Sequence, residues 1–336
     1  MTRKLLIQNE NWPLSRPFAI ARGSSTSIDI VTVTIKEGGL MGRGECRPYA
    51  RFGETPESVS KAIEGMRSFI EAAPTNGGGG DRRSLLDRLA PGAARNAIDA
   101  ALIDLECKIA GLGAAELLGL ELPEAVETAG TVGLAPAAEM AAEAARMADY
   151  PLLKIKLNAS AVEERLRAVR RAAPQTPLLV DANEAWSPKG LKFYMPLLAE
   201  LGVAALEQPL AEAEDAALSD IDHLVPVIAD ESFHSANDLA GLRGLYDGVN
   251  VKLDKCGGLT AALQAVTRAR AEGFLVMVGC MVGTSLAMAP AALLAPLADF
   301  VDLDGPLWTA DDRENGFTIR AGRFKVELEG LWGAPR

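Results

Sequence analysis

The stretch LLVDANEAWSPKGLKFYMPLLAELGVAALEQ, residues 178–208, decides the fold. It opens on a short apolar run ending in Asp181-Ala182-Asn183 and passes through a polar loop and a longer stretch of helical spacing. It closes on a second apolar run, Ala204–Gln208, with Glu207 near its end. Continuous apolar runs separated by crossovers are the mark of parallel strands covered on both faces.

From about Thr128 the same unit recurs along the chain. Strands are predicted at Thr128–Gly133, Leu152–Leu157, Leu178–Asn183, Ala204–Gln208, Val225–Asp230, Gly248–Leu253, Phe274–Gly279 and Phe300–Asp304. Seven helical stretches lie between them, among them Glu139–Met147, Val162–Ala172 and Leu259–Ala271. Gly305-Pro306 follows the eighth strand where a further helix would start. The pattern reads (β/α)7β, which can close into a barrel; a doubly wound open sheet is the alternative.

The chain before the barrel has another character. It has extended segments at Lys4–Gln8 and Ile28–Lys36, a turn at Glu37-Gly38-Gly39, and helices after Thr55 and around Ala93–Ala110. The predicted organisation is an α+β capping domain over residues 1–120, a barrel domain over 121–310, and a segment over 311–336 returning toward the cap. The β-like alternation of Phe317–Leu328 suggests that return. Gly77–Gly80 reads as a surface loop, because no P-loop Lys-Ser/Thr follows it.

Composition narrows the partners. A net charge of −11 argues against nucleic acid and anionic membranes, which need clustered Lys and Arg. No signal-peptide core and no uninterrupted apolar run of roughly 18 residues is present, so a cytoplasmic protein acting on a small molecule is expected. The four cysteines form no C-x-x-C pair and fit reduced thiols. Two histidines cannot build a histidine-rich zinc site, so any metal must be held by oxygen. Monomer and homo-oligomer remain open.

Barrel chemistry sits at the C-terminal ends of the strands. There the sequence places Lys154 and Lys156, then Asp181, Glu207 and Asp230 on three consecutive strands, then Lys252, then Asp302 and Asp304. Three carboxylates in matching positions would repel, and a hard divalent cation removes that cost. Side chains two apart on a strand share a face, so Lys154 and Lys156 both point into the site, and their repulsion favours loss of a proton from one. Strands two and six are opposite in a ring of eight. Lys156 and Lys252 therefore approach the centre from two sides, which suits 1,1-proton transfer beside a carboxylate. Lys255 is expected on the opposite face of the strand from Lys252, in packing or a salt bridge.

These residues resemble the enolase superfamily, in its muconate-lactonizing subgroup, and within it the L-Ala-D/L-Glu (dipeptide) epimerases. The match runs through AIARGS at 19–24, GECRPYARFGET at 44–55, GAARNAIDAALIDLE at 92–106, VDANEAW at 180–186, LEQPL at 206–210, ADES at 229–232, VNVKLDKCGGLT at 249–260 and DLDGP at 302–306. The resemblance implies a modified TIM barrel with a capping domain, and the lysine-and-Mg²⁺ chemistry already known for that superfamily. It implies Lys156 and Lys252 as acid/base residues and Asp181, Glu207 and Asp230 as Mg²⁺ ligands. It also implies substrate contacts from Arg22, Thr131, Lys154, Asp302 and Asp304.

The activity so implied is epimerisation of L-Ala-D-Glu to L-Ala-L-Glu through an enolate, in recycling of cell-wall peptide. Cycloisomerisation, o-succinylbenzoate synthesis and N-acylamino-acid racemisation are the alternatives within the subgroup. The Asp302/Asp304 pair discriminates, because paired carboxylates suit an ammonium-bearing substrate and repel a dianion. A non-catalytic binding protein on the same fold is the alternative of another class.

Overall fold

The computed structural model describes residues 3–72 and 80–335. Gly77–Gly79, most of the glycine run, lies outside the described residues. Eight parallel strands form one sheet in sequential order: Gly130–Val132, Leu153–Lys156, Leu178–Asp181, Val203–Glu207, Val227–Ala229, Gly248–Lys252, Leu275–Gly279 and Phe300–Asp302. The two edge strands meet where Ala129 N donates to Val301 O at 2.8 Å and Leu303 N to Thr128 Oγ1 at 2.7 Å. The sheet thereby rolls into a nearly closed barrel.

Side-chain parity explains why these runs look uniformly apolar. Ala129, Leu152, Leu179, Ala205, Ile228 and Met277 fill the barrel interior, with Phe300 packed against them. Their neighbours Leu178, Val180, Leu206, Val227, Val251 and Val278 face outward into the main core under the helices. The interior parity also sets the site: two residues beyond Leu152, Leu179, Ala205 and Ile228 come Lys154, Asp181, Glu207 and Asp230. Gly279 is held to glycine by this packing, since a Cβ there would lie 2.5 Å from Asn250 Oδ1.

The crossovers are less regular than the repeat predicts. Helices Ala137–Arg146, Val162–Ala172, Pro188–Glu200, Leu259–Ala271 and Ser285–Ala292 are present. Strands four and five are joined instead by a 3₁₀ stretch, Glu212–Asp220, and strands five and six by the four-residue helix Leu239–Leu242. The 3₁₀ stretch has four acidic residues and no basic one, so no i,i+4 ion pair supports a regular α-helix there.

The cap is a three-stranded antiparallel sheet, Lys4–Ile20, Gly23–Glu37 and Leu40–Cys46, laid on the long helix Ala93–Ala110. Gly42 and Gly44 let sheet and helix touch: a Cβ on either would lie 2.1 and 2.2 Å from the helix carbonyls of Ala101 and Ala97. The same helix grips the barrel. Asp99 accepts from Thr260 N and Oγ1 at 2.9 and 2.6 Å, Asn96 Nδ2 donates to Asp254 Oδ1 at 2.9 Å, and Arg95 Nε donates to Gly257 O at 3.1 Å.

The chain end crosses both parts. Arg323–Lys325 pairs antiparallel with Ala125–Glu127, and the Trp332 indole then donates to Ala100 O at 2.9 Å. All four cysteines are free. No helix among the described residues is long and apolar enough to cross a membrane. Trp332 is 1% exposed, so Trp332→Ala leaves a large cavity against the long helix. It is expected to cost about 3–5 kcal/mol in urea unfolding. A loss under 1 kcal/mol would show that the tail is not part of the folded core.

Candidate active site

The barrel mouth collects the charged residues that the sequence placed there. Lys156 Nζ lies 2.6 Å from Asp181 Oδ2. Lys154 Nζ lies 2.7 Å from Glu207 Oε2, 2.8 Å from Asp302 Oδ2 and 3.2 Å from Asp181 Oδ2. On the other side, Lys252 Nζ is 2.7 Å from Asp230 Oδ2 and 3.9 Å from Glu207 Oε1. Lys156 and Lys252 thus flank the carboxylates from opposed strands, and Asn250 Nδ2 fixes Glu207 Oε1 at 2.7 Å.

Burial and charge compete at each group. Burial pushes the Asp181 carboxyl up, but Lys156 and Lys154 outweigh it and hold it well below its ordinary value. Burial acts likewise on Asp230, where Lys252 and Lys255 reverse it. For Glu207, burial and the neighbouring Asp181 carboxylate prevail over the lysines and push it up to about 7. Burial alone would discharge Lys154 and Lys252, yet the carboxylates around them raise both above the ordinary lysine range. The repulsion between Lys154 and Lys156 expected from sequence therefore does not control Lys154, because three carboxylates stand within 3.2 Å of its ammonium and raise it.

Lys255 corrects the sequence reading. Strand six ends at Lys252, and Leu253–Cys256 turns into a single helical coil closed by Gly257 in the left-handed conformation at φ 78°. That coil swings Lys255 back to the site side. Its ammonium is 2.6 Å from Asp230 Oδ1 and also donates to the Asp230 carbonyl. Each oxygen of Asp230 thus has its own lysine.

The other predicted contacts gather around the rim. Asp304 Oδ2 accepts from Thr131 N at 2.9 Å and from the Trp308 indole at 3.4 Å. Asp302 Oδ1 is buried with no hydrogen-bond partner among the described residues. Arg22, from the cap, donates to Asn183 O at 3.2 Å and Tyr49 OH at 2.9 Å and pairs with Glu184 at 3.2 Å and Glu231 at 2.8 Å. Arg51 grips Glu184 through both carboxylate oxygens at 2.7 and 2.8 Å. Glu184 and Glu231 lie inside VDANEAW and ADES, yet their pairing with cap arginines has no local sequence signal. The cavity between cap and barrel measures about 750 Å³ and takes in Arg22, Thr131, Lys154, Lys156, Lys252 and Asp304.

The donor set suits a hard cation. Asp181, Glu207 and Asp230 offer only carboxylate oxygens, the ligands that Mg²⁺ takes. Among the described residues they are not drawn into a ready coordination group. Instead the Lys154 ammonium occupies the space between Asp181, Glu207 and Asp302 as a stand-in cation. The residues fit the metal: the charge that calls for one is present, and a cation already answers it.

Fold and site together define a capped barrel whose mouth sets lysines against a carboxylate triad. Residues 2–119 match the family described as mandelate racemase / muconate lactonizing enzyme, N-terminal domain, and residues 137–331 match enolase C-terminal domain-like. The chain is 45% identical over 326 residues to the L-Ala-D/L-Glu epimerase of Escherichia coli strain K12, covering 96% of this chain and 100% of that one. An enolase family member from Agrobacterium tumefaciens, solved with sodium and L-Ala-L-Glu, superposes with a TM-score of 0.94 at 46% identity and covers 98% and 100% of the two chains. A dipeptide epimerase from Enterococcus faecalis, solved with Mg and L-Leu-L-Tyr, gives a TM-score of 0.91 at 28% identity over 99% and 98%. The chain belongs to the enolase superfamily, in its mandelate racemase and muconate lactonizing branch.

Two expectations follow from the charge balance. Lys255→Met leaves Asp230 with one ammonium, and breaking a buried pair costs about 3–5 kcal/mol. The variant should therefore lose stability in chelator and regain most of it with Mg²⁺, read as a larger Mg²⁺-induced rise in Tm than in the parent. An equal rise in both would refute this. Second, burial pushes Glu207 and Asp254 up to about 7 and Asp304 to about 6, from ordinary values of 4.5, 3.8 and 3.8. The folded chain then binds more protons than the unfolded one between those limits. Metal-free stability should fall as pH rises from about 4 to about 7, measured by chemical unfolding, and a rising profile would contradict the assignment.

Proposed function

We propose that this chain is a Mg²⁺-dependent dipeptide epimerase that converts L-Ala-D-Glu to L-Ala-L-Glu by two-base 1,1-proton transfer through an enolate. The observation that carries the reading is the opposed placement of Lys156 and Lys252, each tied to a different carboxylate of one buried triad. The relatives named above, one an L-Ala-D/L-Glu epimerase and two solved with dipeptides, support the substrate class.

The residues divide the work as follows. Asp302 and Asp304 take the substrate's ammonium, which gives the unpartnered Asp302 Oδ1 a donor. The Lys154 ammonium meets the substrate carboxylate, Thr131 holds Asp304 in place, and Arg22 turns from Glu184 and Glu231 to the substrate's side-chain carboxylate. Asp181, Glu207 and Asp230 would hold Mg²⁺, which would supply Lewis-acid stabilisation of the charge that builds on that carboxylate. Lys156 and Lys252 are each held by ion pairs to the triad, to Asp181 and Asp230, and act on the substrate when released from them. One can then take the α-proton from one face while the other returns a proton to the opposite face.

The wider setting is part of the same proposal: a cytoplasmic enzyme recycling cell-wall peptide, with no nucleic-acid or membrane partner, consistent with the net charge of −11. Lys156→Ala and Lys252→Ala should each slow epimerisation about 10²–10⁴-fold. In D₂O each variant should still exchange the α-proton of one epimer only, and the surviving epimer should differ between the two. Exchange of both epimers by either variant would sink the two-base assignment.

A further inference from the structure

Arg22, Arg47 and Arg51 of the cap all line the cavity, and they differ in how they are satisfied: Arg51 is held by Glu184. Arg22 has acceptors on every side, as described above. Arg47 directly follows the last cap strand, lines the cavity and is partly buried. Among the described residues its guanidinium has neither a hydrogen-bond acceptor nor a carboxylate within ion-pairing range. Only its backbone is tied, with Arg47 N donating to Asp254 Oδ1 at 3.2 Å. Burial pulls the group below its ordinary value, and the nearby Asp254 and Asp29 carboxylates do not restore it. A partly buried cation that faces a cavity without a counter-ion is incompletely compensated, and an anionic ligand would compensate it.

Position indicates which anion. Arg22 and Arg47 share the Tyr49 ring, at 5.9 and 5.8 Å from its centroid. Arg22 reaches the ends of strands three and five, through Asn183, Glu184 and Glu231. Arg47 instead adjoins the coil after strand six, through its backbone bond to Asp254, and lies two residues from Glu45, which accepts from Thr284 in the loop after strand seven. That loop packs on Gly305, next to Asp304, where a Cβ would lie 3.1 Å from Gly283 N, and Cys280, Asp302 and Asp304 line the same cavity as Arg47. Arg47 is therefore on the side of the ammonium anchor, where the first residue of a bound dipeptide sits, while Arg22 serves the second.

We propose that Arg47 forms a second anion subsite that takes the side-chain carboxylate of an aspartyl or glutamyl residue at the first position of the dipeptide. On this reading the chain epimerises acid-first dipeptides as well as Ala-Glu. The inference rests on the dipeptide reading above.

The test compares L-Ala-L-Glu with L-Glu-L-Glu, which differ only at the first residue, using Mg²⁺-loaded parent, Arg47→Met and Arg47→Lys. Both substrates are assayed on one preparation, so the ratio of their kcat/KM does not depend on the fraction of folded protein. The parent should turn over both. Arg47→Met should lower kcat/KM for Glu-Glu at least tenfold more than for Ala-Glu, mainly through KM, and Arg47→Lys should recover part of the loss. Equal losses on both substrates, or a parent that accepts Ala-Glu and rejects Glu-Glu, would overturn the subsite alone. A parent inactive on Ala-Glu and on Glu-Glu would defeat the dipeptide reading and the subsite together.

Discussion

Everything at the barrel mouth depends on the compensation of three fully buried carboxylates. Asp181, Glu207 and Asp230 sit where water cannot screen them, so each needs a cation within hydrogen-bond distance. Lysines supply it: Lys156 and Lys154 on one flank, Lys252 and Lys255 on the other. On the proposed two-base mechanism the compensation also bears on reactivity, because a lysine must leave its carboxylate partner to act as a base. A site with fewer carboxylates would release the lysines but lose the affinity for a divalent cation.

Much of this was legible in the sequence, for a physical reason. Parallel strands buried on both faces read as unbroken apolar runs, and the interior parity that ends Leu179-Val180-Asp181 repeats in Ala205-Leu206-Glu207 and Ile228-Ala229-Asp230. All eight strands could thus be placed, and the same parity gathers the charged residues at one end. The crossovers were harder, because a nine-residue acidic 3₁₀ stretch and a four-residue helix carry too little periodicity to register.

What stayed hidden depends on short coils and long-range pairing. Lys252-Leu253-Asp254-Lys255 reads as continuing strand, whereas the folded chain closes a helical coil at Gly257 and redirects Lys255. Glu184 and Glu231 meet arginines from the far cap, across sequence distances that no local pattern spans. Arg47 was visible inside GECRPYARFGET, but its lack of a partner is a property of the folded cavity.

The grip of the helix Ala93–Ala110 on residues 254–260 limits how freely the two parts of the molecule can diverge. In a modular enzyme the cap would carry selectivity and the barrel the reaction, each replaceable alone. Here the cap helix also braces the coil beneath Lys252 and Lys255. Grafting a foreign cap onto this barrel would have to bring Arg95, Asn96 and Asp99 with it, or the coil that carries Lys255 would lose its support. The helix and the coil therefore form one packed unit, although the sequence separates them by more than a hundred residues.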